Sequence, residues 1–152
     1  MLARTHLVFA LLIGLLTFKY FNLNPILFIA IIALTSFLPD IDHPKSKIGR
    51  KIKVLSYPIN FIFGHRKLFH SIFIAFGLSF VIWYFFGNYY IPFLIGFVSH
   101  LIGDALTVQG INFIYPFKEF RIKGFITTGG ILESILFFIF LFFIIYCSFR
   151  IF

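Results

Sequence analysis

The sequence predicts an all-α, polytopic membrane protein: a single integral domain over 1–152 with about five transmembrane or re-entrant helices. Three observations carry that expectation. Of the 152 residues, 61% are hydrophobic and 12% charged, and the mean hydropathy is +1.02; a soluble domain is roughly half apolar and a quarter charged. The apolar residues gather into five runs with the polar residues between them. A core of this size cannot bury so much apolar surface, so lipid has to solvate much of it. The formal charge of +8 is concentrated in the intervening segments, a pattern that belongs to cytoplasmic loops rather than to a nucleic-acid surface.

The first helix is expected over 5–19, after Arg4. A charged start and a short apolar run also open a signal peptide, but no small-residue cleavage site follows. Lys19 to Pro25 reads as a turn. The second helix is expected over 25–38, with Pro25 at its first position, where a missing N–H costs nothing. Both fall short of the ~20 residues of a full span, so they thin the bilayer or form a re-entrant hairpin. Either way Asp40 returns to the side where His6 begins. Residues 40–67 are the most polar stretch. The third helix is expected over 68–86, followed by the uncharged turn Gly87-Asn88-Tyr89-Tyr90. The fourth is expected over 92–107, interrupted by Ser99, His100 and Asp104. A glycine-bearing segment with Lys118, Glu119, Arg121 and Lys123 leads to the fifth, over 131–149. Its Cys147 is the one cysteine of the chain, which excludes an internal disulfide and Cys-rich zinc modules.

Segment 40–67 carries seven basic residues and 108–130 three, while the 87–90 turn has none. The rule that basic loops stay inside places both segments in the cytoplasm of a cell-membrane protein, with the N-terminus inside and the C-terminus outside. Lys19 and Arg150 run against it. This topology collects all five histidines and four of the five acids at one membrane face. His6 starts the first helix, Asp40, Asp42 and His43 end the second, and His65 and His70 start the third. His100 and Asp104 come late in the fourth, and Glu133 opens the fifth. Scattered surface residues would not converge in this way.

Pro39-Asp40-Ile41-Asp42-His43-Pro44 sets two carboxylates and an imidazole between prolines that stop a helix and hold a turn. His100 and Asp104 are four apart and share a helix face; alone, that pair fits an intrahelical hydrogen bond as well as a ligand pair. Together with His6, Asp40, His43, His65 and His70 it makes a nitrogen–oxygen set suited to zinc, with manganese or iron as alternatives. The candidates outnumber the ligands of one structural zinc, which points to more than one ion or to one ion with outer partners. Such a site activates water and polarises a phosphoryl or carbonyl oxygen. Asp42, Arg66 and Glu133 are the candidates for the accompanying catalytic roles. Arg66 can face an anionic substrate oxygen or merely lipid headgroups, and His6 can equally be an interfacial residue. Capping suits Ser46 and Ser71 better than supporting a ligand. The basic loop 45–53 can draw membrane lipids, dock a protein partner, or be a solvated charge run.

Several motifs in order resemble one pattern: Thr5-His6, Pro39 to Pro44 with Ser46 and Gly49-Arg50, His65-Arg66 with His70-Ser71, and Ser99-His100-Leu101 with Asp104, Gly110 and Tyr115-Pro116. The chain is similar to the YdjM-like inner-membrane proteins, a family described as membrane-bound metal-dependent hydrolases. The resemblance runs from His6 to about Glu133. One departure is Lys67-Leu68-Phe69, where the family usually has Gly and Thr; both flanking histidines stay in place. The resemblance implies a metal-dependent hydrolase in the membrane. More loosely, His100-x-x-x-Asp104 with separate Asp and His ligands looks like the zinc-dependent phospholipase C and single-strand nuclease group, which cuts phosphodiesters. A membrane location then favours a lipid-linked phosphoester over nucleic acid.

Two other classes compete. A non-catalytic binding or regulatory protein would need the basic loop and be indifferent to His100 or Asp104. An ion transporter would place ionisable groups at the midplane and on both sides, whereas the 87–90 turn has neither acid nor histidine.

Overall fold

The computed structural model describes residues 1–46, 48–63 and 66–151. Its helices are α1 (Ala3–Thr17), α2 (Pro25–Thr35), α3 (Lys53–Phe63), α4 (Ile72–Phe86), α5 (Tyr90–Ala105) and α6 (Ile131–Ile151). All but α3 lie in the five apolar runs, and the fold is an all-α polytopic membrane architecture. Among the described residues, four segments are long and apolar enough to cross a membrane: Ala3–Tyr20, Pro25–Asp42, Ile72–Ala105 and Ile131–Arg150. The third of these contains a hairpin, because a tight turn at Gly87–Tyr89 folds α5 back against α4.

Local chemistry sets the helix ends. Asn24 caps α2 by accepting from the amides of Ile26 and Leu27 at 3.0 and 3.1 Å, with Pro25 at the first helical position. That helix stops at Thr35, short of the expected 38, because Leu38–Asp42 with its Pro39 forms a 3₁₀ turn. Leu68–His70 forms another, so α4 begins at Ile72 rather than 68. Ser71 caps it, its Oγ accepting from the Phe73 amide at 3.2 Å. At the start of α6, Glu133 reaches back to the Gly129 amide at 2.7 Å, a carboxylate serving the first turn as in a capping box.

The helix inside the polar segment departs from expectation. In α3, Val54, Leu55, Tyr57, Phe61 and Ile62 recur at helical spacing and share one face. Reading the segment by its lysines alone hides that period. A short strand pair, β1 (Ile111–Asn112) with β2 (Arg121–Ile122), also lies in the loop before α6, pairing Ile111 with Ile122 and Asn112 with Arg121.

The bundle is organised on α5, which packs against α1, α2 and α4, while α6 lies outside against α1. Phe93, Phe97, Leu101, Ala75 and Ile111 form one buried cluster, and Ala10, Phe28 and Ile32 another. Gly96 lets α2 and α5 approach closely: a Cβ there would stand 2.0 Å from Thr35 Oγ1 and 2.6 Å from the Ile32 carbonyl oxygen. At 1.5 Å per residue, the 21 residues of α6 extend ~31 Å, the depth of a hydrocarbon core. The 11 residues of α2 extend only ~16 Å.

Candidate metal centre

Each element that reaches the site does so at the same end of the bundle. There α1 begins, the turn after α2 ends, α4 begins and α5 ends. Asp104, in the last turn of α5 and 1% exposed, is the hub. Its Oδ1 lies 3.2 Å from His6 Nε2 and is ion-paired with the Met1 amino group. Its Oδ2 lies 3.0 Å from Arg66 Nη2 and 3.4 Å from His70 Nε2. Gly103 makes room for this, since a Cβ there would meet His6 Nδ1 at 2.8 Å.

His100, one turn earlier on α5, is oriented from outside the cluster. Its Nδ1 donates to the Ser36 carbonyl at 2.7 Å, which leaves Nε2 as the nitrogen with the lone pair. That Nε2 is buried without a hydrogen-bond partner, and faces Asp40 Oδ1 and Asp104 Oδ2, each at 3.8 Å. The His6 ring stacks on it at a centroid distance of 3.9 Å, and His70 meets it edge-on at 5.3 Å.

Asp42 stands behind His70. Its Oδ2 accepts from His70 Nδ1 at 3.1 Å and from the Arg66 amide at 3.0 Å. Arg66 therefore serves both carboxylates, Asp42 through its backbone and Asp104 through its guanidinium, from a left-handed backbone with φ of 61°. Its Nη1 also donates to the Gly110 carbonyl at 3.4 Å, which ties in the residue just before β1. Burial disfavours the charged form of His70, but Asp104 and Asp42 outweigh it and raise the pKa to about 9.

Two trios bring ligand atoms within 4.8 Å of one another: His6, His100 and Asp104, and Asp40, His70 and His100. The residues fit a metal. A buried imidazole lone pair facing two carboxylates is unfavourable unless a proton or a metal cation lies between them. A His whose other nitrogen is fixed by a carbonyl or carboxylate is the usual ligand arrangement, and here both His100 and His70 have one.

Of the expected ligands, His6, Asp40, His70, His100 and Asp104 come together. His43 is partly buried beside the 3₁₀ turn and belongs to neither trio. His65 lies outside the described residues. Glu133, expected in catalysis, is buried and accepts from the Leu2 amide at 2.6 Å as well as from Gly129, so it anchors the start of α1. Glu119, the acid expected apart from the others, joins this end through Lys67 at 3.4 Å. Ser46 holds the ligand loop, its Oγ donating to the Asp40 carbonyl at 2.8 Å. Sequence reasoning missed Ser36 and Asn60, whose Nδ2 donates to the Asp42 carbonyl at 2.7 Å. Nothing in a sequence marks a carbonyl acceptor such as that of Ser36; Asn60 was visible as a lone amide in an apolar stretch.

Fold and site together define a polytopic α-helical membrane protein with a buried His–Asp cluster at one end of its bundle. The family profile of the YdjM inner membrane protein matches residues 1–152, and the chain belongs to that family. It is 34% identical over 143 residues to the YvsG protein of Bacillus subtilis, covering 89% of this chain and 86% of that one. It is 33% identical over 145 residues to the inner membrane protein YdjM of Escherichia coli, covering 86% of this chain and 74% of the relative. YdjM of Shigella flexneri matches to the same extent. No solved structure matches the chain.

Proposed function

We propose that the protein is a membrane-bound metal-dependent hydrolase acting on a phosphoester, with a lipid-linked substrate favoured by the site's place in the membrane. The observation that carries this reading is His100 Nε2, a buried lone pair held toward Asp40 and Asp104. His6, Asp40, His70, His100 and Asp104 would hold the ion or ions, zinc first by donor type and manganese or iron next. When bound, a divalent metal there supplies a water of lowered pKa and a Lewis acid for a phosphoryl oxygen. Arg66 sits beside Asp104 with its Nε unpartnered, and can meet an anionic substrate oxygen. Asp42 acts through His70, which makes it a positioning residue, and Glu133 acts through the α1 N-terminus in the same sense. Basic loops flank this end, so the site faces the cytoplasm.

The test is elemental analysis of detergent-purified wild type beside His100→Ala and Asp104→Asn. Wild type should carry at least one equivalent of a divalent transition metal, and both variants should lose it. Loaded wild type should then hydrolyse a chromogenic phosphodiester or a phospholipid, and the variants should not. Wild type that stays empty after exposure to zinc and manganese would sink the reading and leave the basic loop 45–53 as a protein-docking surface in its place.

A further inference from the structure

The polarity of α3 is inverted. Ser56 is fully buried, and Asn60 turns inward to bond the Asp42 carbonyl at 2.7 Å. The opposite face shows Val54 at 93% exposure, Phe61 at 91%, Ile62 at 66% and Tyr57 at 61%. A helix against a water-solvated protein turns the other way, apolar side in. The medium outside α3 is therefore apolar, yet its 11 residues extend only ~16 Å and cannot cross a bilayer. The described elements on either side of it, the turn after α2 and the start of α4, both lie at the site end of the bundle. That places the helix along the membrane surface. Exposed Lys45, Arg50, Lys51 and Lys53 lead into it. Beside them an open cleft of about 560 Å³ is lined by Phe37, Ile48, Arg50 and Lys51. Two cations next to two apolar side chains match a phosphate headgroup and its first methylenes.

We propose that α3 is an in-plane element seated at the headgroup–acyl boundary, where it binds an anionic phospholipid surface against the site end of the bundle. The cations take the lipid phosphates and the apolar face takes the upper acyl chains. Asn60 ties the helix to the turn whose Asp42 holds His70, so lipid contact and the cluster share a hydrogen bond. The inference stands whether or not the cluster hydrolyses anything.

The experiment uses the full chain with Cys147→Ser and one new cysteine, Phe61→Cys or Lys51→Cys, each carrying a nitroxide. The proteins are reconstituted in phosphatidylcholine vesicles with or without phosphatidylglycerol. With phosphatidylglycerol, the ratio of oxygen to water-soluble nickel collisions should be several-fold higher at Phe61 than at Lys51. Omitting phosphatidylglycerol, or adding Arg50→Glu and Lys51→Glu to the Phe61→Cys protein, should move the Phe61 label toward water. Val54→Cys gives the same reading at a second position should Phe61→Cys not fold. A Phe61 label as open to nickel as Lys51 would overturn the proposal, as would a depth indifferent to anionic lipid. Spin–spin broadening between labels would assign the face to a second copy of the chain instead, and would overturn it too.

Discussion

What His100 can do is decided by one carbonyl. With Nδ1 committed to Ser36, the ring cannot turn its donor toward the carboxylates, and the lone pair has to face them. His70 repeats the device with a carboxylate in place of the carbonyl. Outer partners of this kind tune a ligand by about 10–100-fold in metal affinity. Asp42→Asn is therefore expected to lower zinc affinity by about that factor while the chain still folds, as read by competition with a chromophoric chelator. Affinity equal to wild type would remove Asp42 from the site. At this scale the sequence was informative wherever a side chain reaches the cluster. His100 and Asp104 declared themselves by a spacing of four, and Asp40 and His70 by lying at the ends of apolar runs. It was silent where a main-chain atom does the work, as at Ser36. It did not reveal that Glu133, named for catalysis, also accepts from two backbone amides, as an acid in the first turn of a helix readily does.

Helices show the same contrast between what periodicity reveals and what it hides. Five were legible because lipid demands long uncharged runs. Their ends were not, since the 3₁₀ turns at 38–42, with its Pro39, and at 68–70 rest on local hydrogen bonds that hydropathy does not register. Close packing was equally invisible, and Gly96 is the clearest case. Its missing Cβ sets the α2–α5 contact, which in turn places Ser36 beside His100. Gly96→Ala forces backbone against side chain and should cost ~1–3 kcal/mol, seen as a lower midpoint of thermal unfolding in detergent. It should also weaken metal retention, because the carbonyl that orients His100 moves with α2. An unchanged midpoint would mean that the two helices separate at little cost.

For the whole molecule, the segregation of charge is the dominant fact. The α4–α5 turn is uncharged, and the described acids all lie at the opposite end. Five passes, the count expected from the sequence, would set the two chain ends on different sides. With Cys147→Ala and Arg150→Cys, a membrane-impermeant maleimide should label intact cells, whereas a cysteine at Lys45 should react only after the cells are opened; the reverse pattern would invert the topology. The cluster also draws its donors from four separate places: α1, the turn after α2, the turn before α4, and the end of α5. No insertion product that lacks the α4–α5 hairpin contains it. During biogenesis the centre comes into being only after the α4–α5 hairpin has entered the bilayer and docked between its predecessors. An ion held by these donors would therefore bind the threaded chain and not its shorter insertion products.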